Sequence, residues 1–329
     1  MNPRLPLLAA LFLPGLAFAD ADALAGKSDD WFRSENGRHT LSTVLSWQSP
    51  QGSWPKNKDT TTKPYTGKPE KLEGTFDNKA TTGELRLLAH AFKATGDTTY
   101  RDAFLKGYDH ILAAQYPNGG WPQYYPPGKG YARHITFNDG SMVRLLELLR
   151  SSQDYEFLDT DHKHKASDAF DRGIACILKC QITINGKPTV WCAQHDEVTF
   201  APALARAYEL PSLSGGESAG ILRFLMTLDK PSPEIIRVVK DGVAWFESSK
   251  ITGIRFERSN GGRIISDPSA KPLWARFYDL ETGKPFFCDR DGIKKATLAE
   301  IGEERRSGYA WYGPWGESVL REYGKWEHR

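Results

Sequence analysis

The chain has 329 residues, and its 43 Lys and Arg against 41 Asp and Glu give a formal net charge of +2 at pH 7. A charge this close to zero argues against nucleic acid as the main partner, because domains that bind nucleic acid carry a strongly basic surface. Ten Trp and thirteen Tyr suit a carbohydrate cleft, although core packing uses aromatic residues too.

The N-terminus has the pattern of a secretory signal peptide. Arg4 gives a short positive region, residues 5–16 are apolar, and Ala17-Phe18-Ala19 forms a small-x-small cleavage site. The alternative is a buried N-terminal helix. No other apolar run approaches the roughly 18–20 residues of a membrane span. We therefore expect cleavage after Ala19, a periplasmic or secreted protein without a membrane span, and a single domain over residues 20–329 that acts as a monomer.

The four cysteines are Cys176, Cys180, Cys192 and Cys288. Export permits disulfides, and four cysteines allow three full connectivities. Cys176 and Cys180 lie one helical turn apart, so we expect that they do not both stay free near Cys192. The pairing stays open, and the spacing is not a zinc pattern.

An internal repeat organises the middle of the chain. Each copy has an apolar helix end, a Gln, a turn and a Trp, and a degenerate fourth copy places Ser248 at the Gln position. The copies with Gln are residues 44–57, 111–126 and 177–192, with the anchors Gln48, Gln115 and Gln181.

Helical patterns fill the intervals between the anchors. Helix pairs at this period cannot bury their apolar faces alone, so they stack and share a core. The sequence thus predicts an all-α protein, an (α/α)3 toroid of helical hairpins with long loops. From about residue 251, strand-like runs predict a small β region over one end, with a short helix near 298–304. The predicted helices are 80–97, 99–115, 141–152, 167–181, 199–209, 217–228 and 233–248.

Two acidic motifs stand just before equivalent helices. Asp77 lies in Thr-Phe-Asp-Asn and Asp139 in Thr-Phe-Asn-Asp, 62 residues later. In a regular array both carboxylates would project from the same end of neighbouring hairpins. With the amides of Asn78 and Asn138 they form a hard-oxygen set suited to Ca²⁺. The alternative is that both are helix N-caps, where the helix dipole disfavours a cation.

Arginines make up a second set of candidates. Arg206 falls in the predicted helix 199–209, whereas Arg276, Arg290 and Arg305-Arg306 occupy Gly- and aromatic-rich loops. Arginine beside a cleft often grips carboxylates bidentately. The alternative is ordinary ion pairing with the acidic residues that flank Arg290 and Arg305.

The two histidines near these loops are His134 and His195. His195 could act as a base or could hold a loop by hydrogen bonding. The sequence has no Gly-x-Ser-x-Gly, no HExxH and no phosphate-binding glycine loop, so hydrolytic triads and nucleotide chemistry find no support.

Several motifs in order resemble the family 10 pectate lyases over residues 35–315. They are GTFDNKATTGEL, GGWPQYYP, HITFNDGSM, ALARAYELPSLSGGES, WARFYD, CDRDG and ERRSGYAWYG. The resemblance implies an (α/α)3 toroid with a cleft on top, cleavage of polygalacturonate by Ca²⁺-assisted β-elimination, and unsaturated oligogalacturonate products. A departure from the family pattern is Lys79, where a small residue is expected.

The resemblance also implies roles for individual residues. Asp77 and Asp139 match acidic residues that bind Ca²⁺ or surround it, with Asp77 and Asn78 also near the substrate. Arg290 matches the arginine proposed as the catalytic base, and Arg206 and Arg276 match arginines that contact galacturonate carboxylates.

The chemistry requires both residue sets. The C5 proton of a uronate becomes acidic only when the adjacent carboxylate is neutralised, which a cation and arginines do. Arginine is a poor base unless cationic neighbours disfavour its charged form, so we expect an alkaline optimum and at least one of Asp289 and Asp291 turned away from Arg290. Two other functions stay open: a non-catalytic oligogalacturonate-binding protein, and an (α/α) toroid glycosidase or polyene cyclase.

Overall fold

The computed structural model describes residues 20–328. The predicted signal peptide lies outside these residues. The helices are α1 Ala21–Leu24, α2 Asp29–Arg33, α3 Glu35–Ser46, α4 Thr82–Thr95, α5 Thr98–Ala114, α6 Ser141–Ser151, α7 Thr160–Lys179, α8 Gly215–Leu225, α9 Pro233–Ser248, α10 Glu303–Gly308 and α11 Trp315–Tyr323.

Three consecutive hairpins form the toroid, and they are α4–α5, α6–α7 and α8–α9. Within the ring α4 packs on α6 and α6 packs on α8, while α2 and α3 contact α4 and α11 contacts both α8 and α9. The predicted (α/α) toroid is confirmed. Among residues 20–328 no helix combines the length and apolarity that crossing a membrane requires.

The recurring positions of the internal repeat connect neighbouring hairpins by hydrogen bonds. Gln48, Gln115 and Gln181 each donate Nε2 hydrogen bonds to two carbonyls, one in the following turn and one in the second helix of the next hairpin, at 2.7–3.1 Å. The indole N–H of each repeat Trp returns to a carbonyl in the preceding helix. In the fourth copy this Trp is Trp274, which donates to Phe246 O at 2.9 Å.

A glycine in each second helix lets the two helices of a hairpin approach closely. A Cβ added at Gly173 of α7 would lie 2.5 Å from Leu146 Cδ2 of α6. Gly107 and Gly242 meet Leu85 and Leu222 in the same way, at 2.8 and 2.7 Å. The glycine–leucine contact recurs once in each hairpin. Close approach of the two helices at this glycine is therefore a feature of every repeat.

The β structure of the described residues consists of six two-stranded antiparallel ladders, of which three lie wholly beyond residue 251. The pairs are β1 Ile135–Thr136 with β4 Gln194–His195, β2 Thr183–Ile184 with β3 Lys187–Pro188, β5 Leu213–Ser214 with β9 Phe277–Tyr278, β6 Ile254–Glu257 with β7 Arg263–Ser266, β8 Trp274–Ala275 with β12 Tyr312–Gly313, and β10 Phe287–Cys288 with β11 Lys294–Lys295.

Two sequence predictions fail. Residues 199–209 form no helix, because an Asp196 turn and Pro202, which bridges to His195, hold this stretch as an irregular loop. The four cysteines are all free and buried. The expectation that Cys176 and Cys180 would not both stay free is therefore wrong, since they pack as small apolar side chains in the core.

Candidate active site

Three carboxylates occupy equivalent places in three successive repeats. The carbonyl of each repeat Trp accepts a hydrogen bond from the backbone N–H of Thr75, Thr136 or Ser214, at 2.8–3.0 Å. Asp77 lies two residues after Thr75. Asp139 and Glu217 lie three residues after Thr136 and Ser214. Because the repeats are stacked, their carboxylates meet at one mouth of the ring.

Asp77 is 1% exposed. Its Oδ2 accepts hydrogen bonds from Lys56 Nζ and Gln123 Nε2, both at 2.5 Å. Lys56 and Gln123 stand two residues after the Trp of the first and second repeats, so two hairpins converge on one carboxylate. Its Oδ1 is buried and has no hydrogen-bond partner.

Asp139 lies in the left-handed region, with φ of 51°, in a 3-10 turn at Asn138–Gly140. Burial raises the pKa of Asp139, and the nearby charges of Glu217 and, to a smaller extent, Asp77 raise it further. The three carboxylates therefore repel one another across one site. The N-cap interpretation is wrong for Asp77 and Asp139, because neither α4 nor α6 has a side-chain cap.

Arg276 forms an ion pair with Glu217, one member of this acidic set. Its Nη2 donates to Glu217 Oε1 at 2.7 Å, and the two side chains are 13% and 3% exposed. Burial lowers the pKa of Arg276, but the charges of Glu217, Tyr309, Asp139 and Glu209 together outweigh that effect and the pKa is raised. Arg276 Nε is buried without a partner, so this guanidinium keeps an unused donor at the site.

The other arginines surround two tyrosines. The guanidinium of Arg305 lies 3.8 Å from the ring centre of Tyr208 and 4.0 Å from that of Tyr309, and Arg276 lies 5.2 Å from Tyr309. Arg206 and Arg290 face Tyr208 at 4.9 and 5.5 Å. This contact chain connects Arg206 and Arg290 to the acidic set.

Arg206 and Arg290 both form bidentate ion pairs. Arg206 binds Glu209 at 2.5 and 2.7 Å, and this hydrogen bonding raises the pKa of Arg206. Arg290 binds Glu304 at 2.9 and 3.2 Å, and that pair raises the pKa of Arg290, whose side chain is 60% exposed. In this structure Arg206 and Arg290 are therefore both engaged in ion pairs, as the alternative interpretation of the sequence expected.

Asp289 and Asp291 do not pair with the Arg290 guanidinium. Asp289 accepts the backbone N–H groups of Arg290 and Gly302, and Asp291 accepts that of Ile293. The expectation that at least one turns away is confirmed. Arg305 is the exception among the arginines, because burial lowers its pKa and two of its nitrogens are buried without a hydrogen-bond partner.

A cavity of about 440 Å³ opens beside the acidic set, and Arg206, Arg290 and Arg305 do not line it. Its wall includes Asn78, Lys79, Asp139, Glu217 and Arg276. Lys79, the departure from the family pattern, pairs with Asp20 and Asp22 at 2.9 and 3.4 Å. Asn78 Nδ2 donates to Asn57 Oδ1 at 3.1 Å, so its amide oxygen stays available at the cavity.

His195 holds a loop. Its Nδ1 lies 2.7 Å from Phe200 O, its Nε2 accepts from Cys192 N at 3.0 Å, and burial lowers its pKa to about 4. His134 lies in another cluster, with Asp196 and Glu197. One potential ligand atom of each residue lies within 4.8 Å of the other two, and among residues 20–328 this is the group of three His, Cys, Asp or Glu side chains with that spacing. These side chains have the spacing of an acidic metal-binding group, but His134 and Arg133 already pair with Glu197.

The profile of the pectic acid lyase family matches residues 48–320. The chain belongs to the pectic acid lyase family. This lyase is similar to a solved mutant of a family 10 polysaccharide lyase from Cellvibrio cellulosa in complex with trigalacturonic acid, with 37% identity, a TM-score of 0.82, and coverage of 93% of this chain and 98% of that one. Another structure of a family 10 polysaccharide lyase from that organism has 38% identity and a TM-score of 0.83, and covers 92% of this chain and 95% of that one. No curated protein matches the chain.

The site of this lyase has three candidate residues that the sequence analysis did not identify. Glu217 stands in the motif SLSGGES, and its Ser214 anchor corresponds to Thr136 of the second repeat. Lys56 and Gln123 share the position after Trp-Pro in their repeats. Aligning the repeats beyond their Gln and Trp anchors would have found all three.

Proposed function

We propose that this lyase cleaves polygalacturonate by β-elimination in the cavity between Asp139 and Arg276. The supporting observation is the juxtaposition of a carboxylate set with partly unsatisfied arginines at one mouth of the toroid, as a substrate with regularly spaced carboxylates requires. The trigalacturonic acid bound by the Cellvibrio cellulosa relative supports the same substrate class. We further propose that residues 20–329 act as one monomeric catalytic domain, exported after cleavage of the signal peptide.

Ca²⁺ is the proposed cofactor, and the residues present fit it. Asp77 Oδ1 is a buried oxygen without a partner, and the pKa of Asp139 is raised by burial first and by the negative charge of Glu217 second. Asp77 and Asp139 would hold the ion, with Asn78 supplying a neutral oxygen to metal or substrate. When bound, the ion supplies positive charge that neutralises the substrate carboxylate.

The arginines would orient the sugar acid. Arg276 has a free buried Nε, and Arg206 carries a bidentate guanidinium that now grips Glu209. A galacturonate carboxylate can replace or share such a partner, since guanidinium groups bind carboxylates in a matched geometry.

Arg290 is the proposed base. It would accept the C5 proton, the C–H electron pair would become the C4–C5 double bond, and the C4–O bond would break with its electrons onto the leaving oxygen, which takes a proton from water. The Glu304 pair favours the charged form of Arg290, so the pair has to open before Arg290 acts. The charge of Asp289 still favours the charged form, whereas the guanidinium groups of Arg206 and Arg305, which face the same Tyr208 ring, favour the neutral form. An alkaline optimum is expected.

The experiment is an assay for unsaturated products by ultraviolet absorbance with purified polygalacturonate. Wild type should form them, and EDTA should abolish the signal. Binding without product would favour the oligogalacturonate-binding alternative, and saturated products would favour a glycosidase.

The base is tested with Arg290→Ala, which should fold and lose about 10²–10⁴-fold in kcat. Arg223→Ala is a matched control, because Arg223 on helix α8 is 51% exposed and its Nε donates to both carboxylate oxygens of Glu322 on helix α11 at 3.1 Å. Normal turnover in Arg290→Ala, together with loss in Arg206→Ala, would transfer the base role to Arg206.

A further inference from the structure

The active-site cavity is adjoined by two further cavities on the side of the first repeat. One, of about 290 Å³, shares Asn78 and Lys79 with the active-site cavity. The other, of about 310 Å³, shares Lys56 and Lys58 with the first. The shared walls place the three cavities in one row that runs from Asp139 to the loop 55–73.

Four lysines line the two outer cavities, and we refer to Lys56, Lys58, Lys71 and Lys79 as the lysine arm. Two of them are neutralised, because Lys56 pairs with Asp77 and Lys79 pairs with Asp20 and Asp22. Lys58 and Lys71 are exposed and form no ion pair with any residue between 20 and 328. They therefore present two uncompensated positive charges along the row.

The other groups of the two cavities suit a sugar. Trp47, Tyr65 and Tyr124 line the outermost cavity, and the rings of Trp47 and Tyr65 lie 5.0 Å apart. Aromatic faces pack against the apolar faces of sugar rings, while amides such as that of Asn57 in the middle cavity hydrogen-bond hydroxyl groups.

Acidic residues on this side are also accounted for. Asp59 is occupied by the N–H and hydroxyl groups of Thr61 and Thr62. Glu84 forms the buried floor of the middle cavity and accepts a hydrogen bond from Thr60 at 3.0 Å. Glu73 faces the outermost cavity and is the carboxylate there that would repel an anionic ligand.

We propose that the lysine arm forms distal subsites for further galacturonate units of the same polymer, with Lys58 and Lys71 binding their carboxylates. This rests on the proposed function. A uronate polymer carries one carboxylate on each sugar, so a chain that crosses the active site and continues along the row meets these lysines in turn. Trigalacturonate is too short to gain much from them, whereas polygalacturonate gains from both.

The test compares the Lys58→Ala/Lys71→Ala double variant with wild type on trigalacturonate and on polygalacturonate. We expect KM for the polymer to rise roughly three- to tenfold, since exposed charge contacts are individually weak. The kcat and the constants for trigalacturonate should not change, and the salt dependence of KM for the polymer should become shallower. Glu73→Gln should change KM for the polymer in the opposite direction.

Lys240→Ala is the control, because Lys240 is an exposed lysine of helix α9 outside the row. A double variant with unchanged KM for the polymer, or one that loses equally on both substrates, would overturn the distal subsites. Wild type that forms no unsaturated product would refute the proposed function instead. Affinity electrophoresis of Arg290→Ala, with and without the two lysine changes, in gels containing polygalacturonate would then still measure the arm, and equal retardation would overturn it.

Discussion

At the residue scale, the site is organised by like charges held close together. Asp77, Asp139 and Glu217 would repel one another in isolation, and the surrounding cations balance them only in part: Lys56 takes one oxygen of Asp77, and Arg276 takes one oxygen of Glu217. Asp139 has no ion-pair partner within residues 20–328. Burial raises its pKa, and the nearby charge of Glu217 raises it further. A divalent ion would remove this repulsion.

Asp139→Asn tests that role. The amide is nearly isosteric and uncharged, so we expect the variant to unfold at the same or a higher temperature than wild type without Ca²⁺. Ca²⁺ at a hundred times its Kd should stabilise wild type by about 2.7 kcal/mol and so raise its Tm. The Tm of the variant should remain almost unchanged. Calorimetry measures the Tm values with and without Ca²⁺, and the assay for unsaturated products measures the loss of activity. Asp168→Asn, at an exposed position, is the control. An equal Ca²⁺ response in wild type and Asp139→Asn would contradict the assignment.

At the element scale, each hairpin depends on a glycine where its second helix approaches the first. Gly173 of α7 has no space for a Cβ, because Leu146 of α6 and the ring of Trp121 lie 2.5 and 3.0 Å from where the atom would be. Gly220 of α8 is also helical, but nothing lies within 4 Å of its Cβ position. The two positions therefore separate packing from helix propensity.

Gly173→Ala should destabilise the lyase by about 1–3 kcal/mol through overpacking. Gly220→Ala should stabilise it by about 0.5–1 kcal/mol, because alanine loses less backbone entropy in a helix. Urea unfolding of both variants measures the difference. A gain of stability in Gly173→Ala would mean that the α6–α7 contact is looser than described.

The same scale shows where sequence reasoning succeeds. Of the seven helices predicted from the apolar period and the Gln anchors, six are present with ends within a few residues, apart from the start of α7, which begins at Thr160. The stretch 199–209 failed because its Ala-rich composition favours a helix locally, whereas Pro202 and the tight Asp196 turn dictate a loop. That failure placed Arg206 on a helix when it lies on a loop.

At the scale of the whole molecule, buried titratable groups set opposing pH dependences. Burial raises the pKa of Glu84 from 4.5 to about 7. Between pH 4.5 and about 7, Glu84 is therefore protonated in the folded state and ionised in the unfolded state. Stability therefore falls as the pH rises through this window, by up to about 3 kcal/mol. Burial lowers the pKa values of His110 and His195 to about 4, so these two contribute stability that is lost as the pH falls from 6.5 to 4.

Glu84→Gln isolates the first contribution. The amide mimics the protonated acid, so the variant should gain stability relative to wild type at pH 8 and differ little at pH 5. The free energy of unfolding in urea at the two pH values measures this, with the exposed Glu70→Gln as control. A difference between wild type and Glu84→Gln that does not depend on pH would show that Glu84 stays ionised in the fold.

The sequence by itself determined the toroid of helical hairpins, the acidic motifs and the membership of a lyase family, because hydrophobic period and short motifs are local and survive in one dimension. It left open which side chains meet. Glu217 joined Asp77 and Asp139, Lys56 and Gln123 converged on one carboxylate, and four cysteines stayed reduced, since each outcome depends on how the hairpins stack. Contacts between residues tens of positions apart, and the pKa shifts that they cause, are fixed only when the ring has formed.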